Sequence, residues 1–152
     1  MRLFIDKNMK EENYEYLYHL INDCEFEDGM SNAAIEFLLG FFKEDYEQCR
    51  EVIMITYKYY ADDFEFLGKL CRCFCQEDVY EWLYVDILCD ICKLCIKSDD
   101  AYCQEAGIML CKKWRDIYGL ALLALHLKPC NKKIKEYADS VIHELDLEWF
   151  GN

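Results

Sequence analysis

The residues best suited to chemistry in this chain are its eleven cysteines, at positions 24, 49, 71, 73, 75, 89, 92, 95, 103, 111 and 130. Two runs have spacings that invite a metal, an iron–sulfur cluster or redox work: Cys71-x-Cys73-x-Cys75 and Cys89-x-x-Cys92-x-x-Cys95. The second run lies in Ile87-Leu88-Cys89-Asp90-Ile91-Cys92-Lys93-Leu94-Cys95-Ile96, which has no Gly or Pro and reads as helix. Helical steps of three drift by about 60°, so these thiols fan over about 120° and do not converge on one ion. The fourth Cys and the Pro of an iron–sulfur loop are missing, and zinc pairs normally sit on loops. The count is odd, and Met1-Arg2-Leu3-Phe4-Ile5-Asp6 reaches an acid too early for an export signal. The expectation is a reducing, cytoplasmic setting with thiols packed as small apolar groups and no metal or cofactor. A metal or redox centre on Cys71, Cys73, Cys75, Cys89, Cys92 and Cys95 is the competing reading.

The other reactive types say less. His19, His126 and His143 have no i, i+4 partner, and neither H-E-x-x-H, G-x-S-x-G nor a glycine-rich phosphate loop occurs. No catalytic residue is assigned, and the chain is not expected to be an enzyme. The acids come in pairs: Asp62-Asp63, Glu77-Asp78 and Asp99-Asp100. Each pair stands where a helix should begin. Helix capping explains one acid of a pair and leaves the other surplus.

Charge carries more information. Asp and Glu number 30 against 17 Lys and Arg, a net charge of −13. Residues 1–60 carry −7, residues 61–100 carry −6, and residues 101–152 are neutral. An acidic field opposes binding to nucleic acid and to anionic membranes. It attracts cationic proteins and speeds their docking. Aromatic residues reach 16%, and Tyr14, Tyr16, Tyr18, Tyr57, Tyr59 and Tyr60 cannot all face inward from their helices. Tyrosine beside acid makes a recognition surface for a basic partner.

The elements that position these residues are helices. Pro occurs once and Gly six times in 152 residues, one all-α domain by length and composition. Capping residues and apolar periodicity predict about eight helices. They run from Lys10 to Asp23; from after Ser31, through Ala34, Leu38 and Phe42; from near Asp45 to Tyr60; and from the cap Asp62-Asp63 through Phe74. The rest run from Val79 to Lys97, apolar nearly all round and so expected at the centre; from the cap Ser98-Asp99-Asp100 through Leu110; from Ile117 to Leu127; and from the turn and cap Pro129-Cys130-Asn131 through Leu145. Short links make neighbours antiparallel. The even helices share a register, Ala34/Leu38/Phe42, Phe66/Leu70/Phe74, Tyr102/Ala106/Leu110 and Ile134/Ala138/Ile142, with first members 32, 36 and 32 residues apart. Such a period signals a solenoid of helix pairs. A compact helical bundle is the alternative.

Leu94-Cys95-Ile96-Lys97-Ser98-Asp99-Asp100-Ala101-Tyr102-Cys103-Gln104-Glu105-Ala106 resembles the turn of a HEAT repeat. So does the stretch from Leu123 to Ala138, where Lys135 supplies the basic residue after Ile134; the first stretch has Cys103 there and departs from the pattern. The resemblance covers about 60 residues and implies a short α-solenoid. HEAT-like alkylpurine DNA glycosylases are similar in size, but they need a basic concave face and this chain has the opposite sign.

A small, acidic, single-domain chain without catalytic motifs is similar in type to the immunity proteins that neutralise bacterial toxins, including those of contact-dependent growth inhibition. That resemblance implies a monomer that binds a basic toxin domain, a nuclease, one to one and covers its active cleft. The partner-binding candidates are Tyr59, Tyr60, Asp62, Asp63 and Glu65, continued along the same edge by Glu77, Asp78, Glu81, Asp99, Asp100 and Tyr102. A helical adaptor or scaffold for cellular or host proteins is the rival binding function.

Overall fold

Four helices begin on the cap that the sequence supplies. Asp45 accepts a hydrogen bond from the Gln48 amide (3.0 Å), Asp63 from Phe66 (3.1 Å), Asp100 from Cys103 (2.9 Å) and Asn131 from Ile134 (2.9 Å). Each cap satisfies an amide that the helix leaves unpaired, worth about 1 kcal/mol. The computed structural model describes residues 10–23, 33–75, 85–114 and 117–151. Among them are eight α-helices: α1 Lys10–Asn22, α2 Ala33–Glu44, α3 Tyr46–Tyr59, α4 Phe64–Phe74, α5 Val85–Lys97, α6 Ala101–Lys113, α7 Ile117–His126 and α8 Lys132–Phe150. The protein is all-α, as its composition predicts. The expected starts at Ser31, Val79 and Asp116 lie outside the described residues.

The sequence period reappears as offsets of 32 to 36 residues between helices that lie side by side. Arg72 of α4 pairs with Glu105 of α6 (3.1 Å), and the Cys71 thiol of α4 donates to the Ala106 carbonyl of α6 (3.3 Å). Lys112 of α6 reaches Glu144 of α8 (3.6 Å). In the other layer Arg50 and Tyr57 of α3 bond Asp86 and Asp90 of α5. In the α3–α5 set the residue numbers rise together on both helices, so α3 runs parallel to α5. The α5–α6 contacts run the other way: Cys92 meets Cys111, while Ile96 lies near Gln104. Consecutive helices are thus antiparallel there, and alternate helices stack, an arrangement compatible with a helical repeat.

The N-terminal end departs from the expected register. It is α1, not α2, that packs along α4, while α2 lies against α1 and α3. Tyr18 of α1 contacts Phe66 (ring centroids 5.0 Å) and donates its hydroxyl to Asp63, and Lys69 bonds the Asn22 carbonyl at the end of α1 (2.7 Å). Aromatic fit and a capped C-terminus hold α1 in the place that spacing alone assigns to α2.

The centre of the fold also differs from expectation. Within its described part, α5 buries Ile87, Leu88, Ile91, Cys92, Cys95 and Ile96 but exposes Asp86, Asp90, Lys93 and Lys97. It is α6 that packs against α4, α5, α7 and α8. Its Cys103, Ala106 and Gly107 are small and buried, which lets neighbours approach from several sides. A Cβ on Gly107 would stand 2.5 Å from Ile96, and one on Gly68 of α4 would stand 2.5 Å from the Tyr102 ring.

The cysteines belong to this close packing. The thiols of Cys71, Cys92 and Cys95 donate to the carbonyls of Ala106, Gly107 and Leu67 on facing helices. Their carbonyl partners differ, but the thiols also meet one another across the helices: Cys71 interacts with Cys75 and Cys95, Cys95 with Cys103, and Cys92 lies 3.2 Å from Cys111. Among the described residues no three His, Cys, Asp or Glu side chains are grouped so as to hold a metal ion. Burial raises the pKa of Cys71 well above the ordinary thiol value; hydrogen bonding to neighbouring thiols, with burial behind it, does the same for Cys75 and Cys111. Among the described residues no helix is long and apolar enough to cross a membrane.

Candidate partner-binding edge

The turns α3–α4, α5–α6 and α7–α8 form one edge of the molecule, and named side chains tie them together. Gln104 of α6 is buried and spends its amide on backbone. It donates to the carbonyls of Ser98 (2.8 Å) and Lys128 (2.8 Å), with a longer bond to Ile96 (3.3 Å), and accepts from the Cys130 amide (2.9 Å). This joins the second turn to the third. The first turn meets the second across a cleft lined by Tyr57, Ala61, Phe64, Leu94 and Ser98 among others.

The structure sorts the candidate acids into two kinds. Asp63 and Asp100 are committed: each caps its helix, and Asp63 also accepts the Tyr18 hydroxyl. That bond, with burial behind it, holds the Tyr18 phenol above its ordinary pKa. Asp62 and Asp99, the first acid of each pair, are exposed and make no hydrogen bond or ion pair among the described residues. They occupy equivalent positions on successive turns. The third pair, Glu77 and Asp78, lies with Glu81 outside the described residues.

Glu65, Asp100 and Tyr102 come together, with Lys69, around a shallow hollow of about 310 Å³. Glu65 is exposed and pairs with Lys69 (3.3 Å). Tyr102 lies over the Arg72 guanidinium, 3.7 Å from ring centroid to cation. Burial raises its phenol pKa, opposed by the positive charges of Arg72 and Lys69. Asp99 is on the other side of the edge, facing the cleft between α3 and α5.

The tyrosines divide as their spacing demands. Tyr57 is buried, while Tyr59 is 67% exposed. Tyr60 stacks on Tyr18 (3.7 Å, 16°), and Tyr59 packs on Tyr14 (5.2 Å) and Tyr60 (4.9 Å). The result is an aromatic lip beside Asp62, made by α1 and the α3–α4 turn.

Two features do not follow from sequence spacing. Arg72 is nearly buried and knits α4 to α6 through the carbonyls of Gly68 (3.3 Å) and Tyr102 (3.2 Å) and the Glu105 carboxylate. Its one signal is a charged residue inside the apolar run Leu70-Cys71-Arg72-Cys73-Phe74, four residues after Gly68. The second is a set of three lysines, Lys58, Lys93 and Lys97, in the α3–α5 cleft. No local signal joins residues so far apart in the chain.

No protein-family model matches this chain. No curated protein and no solved structure matches it either.

Proposed function

We propose that this chain is a non-catalytic binding module for a basic protein, of the immunity type: it binds a toxin nuclease domain one to one and covers its active cleft. The observation that carries this reading is the division of the paired acids on consecutive turns. Capping uses Asp63 and Asp100, which leaves Asp62 and Asp99 unpaired along the edge, Asp62 next to the aromatic lip of Tyr59 and Asp99 facing the α3–α5 cleft. In a chain of −13 these acids would steer a cationic partner, while the tyrosines supply contact area at small entropic cost. A partner of that sign fits a cytoplasmic protein that blocks a nucleic-acid-binding cleft.

The test is affinity capture from the native lysate at low and high salt. A single stoichiometric basic protein whose nuclease activity is suppressed by this chain supports the reading. With that partner in hand, the triple reversal Asp62→Lys, Glu65→Lys, Asp99→Lys should slow association about tenfold at low salt and flatten its salt dependence. An unchanged on-rate would remove the electrostatic claim. Several weak, salt-sensitive partners would replace it with the adaptor function.

A further inference from the structure

We infer that the cleft between α3 and α5 is a binding site for a small organic anion with an apolar, aromatic body. The cleft holds about 620 Å³, within the usual range for small-molecule sites. One part of its lining is apolar: Ala61, Phe64, Leu94 and the Tyr57 side chain. Another is cationic: Lys58 in the last turn of α3, and Lys93 and Lys97 one turn apart on α5. All three lysines are exposed, and none makes an ion pair or hydrogen bond among the described residues.

The acids in the cleft do not cancel this charge. Asp90 accepts the Tyr57 hydroxyl (2.9 Å), which also fixes the ring that forms one wall. Asp99 stands at the mouth, on the α5–α6 turn. Two acids against three lysines leave the cleft positive within a chain of net −13. Elsewhere Lys69, Lys112, Lys132 and Lys135 are engaged by carboxylates; Lys58, Lys93 and Lys97 differ in lining one hollow together.

Charge also selects the size of the ligand. A polyanion would lie against the acid excess of the surrounding surface. A small anion meets only the local field, because screening limits the reach of exposed charges to about 8 Å at physiological salt. The ligand class is therefore a phosphate or carboxylate on an aromatic body. The lysines bind the head, and Phe64, Leu94 and Tyr57 cover the ring. The site meets the acidic edge at Asp99, which lines its mouth, while Asp62, Asp63, Glu65 and Asp100 do not line it.

The experiment titrates the full chain with phenyl phosphate, inorganic phosphate and phenol, followed by amide chemical shifts and calorimetry. Phenyl phosphate should bind one to one with Kd of about 1 mM or tighter, and the two fragments about tenfold more weakly. Lys93→Glu/Lys97→Glu should abolish saturable binding. Lys132→Glu/Lys133→Glu, which changes net charge equally on α8, should leave it intact. Lys93→Gln/Lys97→Gln repeats the comparison if the first variant melts early. No saturable binding of phenyl phosphate, inorganic phosphate bound as tightly, or equal loss in both double reversals would overturn the assignment.

Discussion

At the scale of single residues, the chain uses reactive types for structure. The paired thiol positions sit where helices touch, and hydrogen bonding and burial keep Cys71, Cys75 and Cys111 protonated. Arg72 works the same way, as a planar cation held between two carbonyls, one carboxylate and a tyrosine face. Charge at the surface behaves differently. Hydrogen bonds from Arg50, helped by the backbone amide of Ile87 and opposed by burial, lower the Asp86 carboxyl from 3.8 to about 2. The folded value lies below the unfolded one, so this pair stabilises the fold above pH 3.8 and is lost as pH falls through about 2. Most of the Asp86 side chain is exposed, so solvent screening makes the gain small. A carboxyl-detected NMR titration should find the Asp86 midpoint near 2, returning to about 3.8 in Arg50→Gln. A midpoint already at the ordinary value would mean that α3 and α5 are not joined there.

At the scale of elements, the decisive contacts are close approaches between helices. The Tyr102 ring lies where a Gly68 Cβ would stand, and the Arg72 guanidinium over that ring would be 3.3 Å from the same Cβ. Gly68→Ala should therefore destabilise the protein by about 1–3 kcal/mol through overpacking. Gly40 of α2 has open space at its Cβ position. Gly40→Ala should stabilise by about 0.5–1 kcal/mol, because alanine loses less backbone freedom in a helix. Urea unfolding of the two variants checks both signs. A stabilising Gly68→Ala would show that α4 and α6 are further apart than described. Helix identities are legible in the amino-acid pattern, because caps and apolar period act within a turn or two. The centrality of α6 is not. Its sequence is less apolar than that of α5, and smallness rather than hydropathy puts it in the middle.

At the scale of the whole molecule, stability should follow the packing order. In a stacked array each helix depends on its neighbours, so the ends open first. Helices α4, α5 and α6 hold most of the buried thiols and the Gln104 and Arg72 networks. The last turns of α8 expose Leu147, Trp149 and Phe150. Amide hydrogen exchange should be slowest in α4–α6, and faster in α1, α2 and the end of α8. Protection in α1 and α2 equal to that in α6 would imply one cooperative bundle instead. The same arrangement explains how one chain presents two surfaces of opposite sign. Glu65 and Asp100 lie on the α4–α6 side, and the last turns of α3 and α5 bring three lysines together on the other, with Asp99 at their mouth.

The sequence by itself determined the all-α class, the caps near Asp45, within Asp62-Asp63 and Ser98-Asp99-Asp100, and at Asn131, the period of the α4, α6 and α8 stack, and the surplus of one acid per pair; the structure selects Asp63 and Asp100. These follow from short-range rules: a cap bonds an amide three residues away, and a helical stripe repeats every 3.6 residues. Only the tertiary structure decided that α1 rather than α2 lies along α4, that Arg72 is nearly buried, and that Lys58 meets Lys93 and Lys97. Those juxtapositions depend on which helix faces which. That choice is set by the fit of Tyr18 to Phe66 and of Gly68 to Tyr102, contacts between residues far apart in the chain that no local pattern encodes.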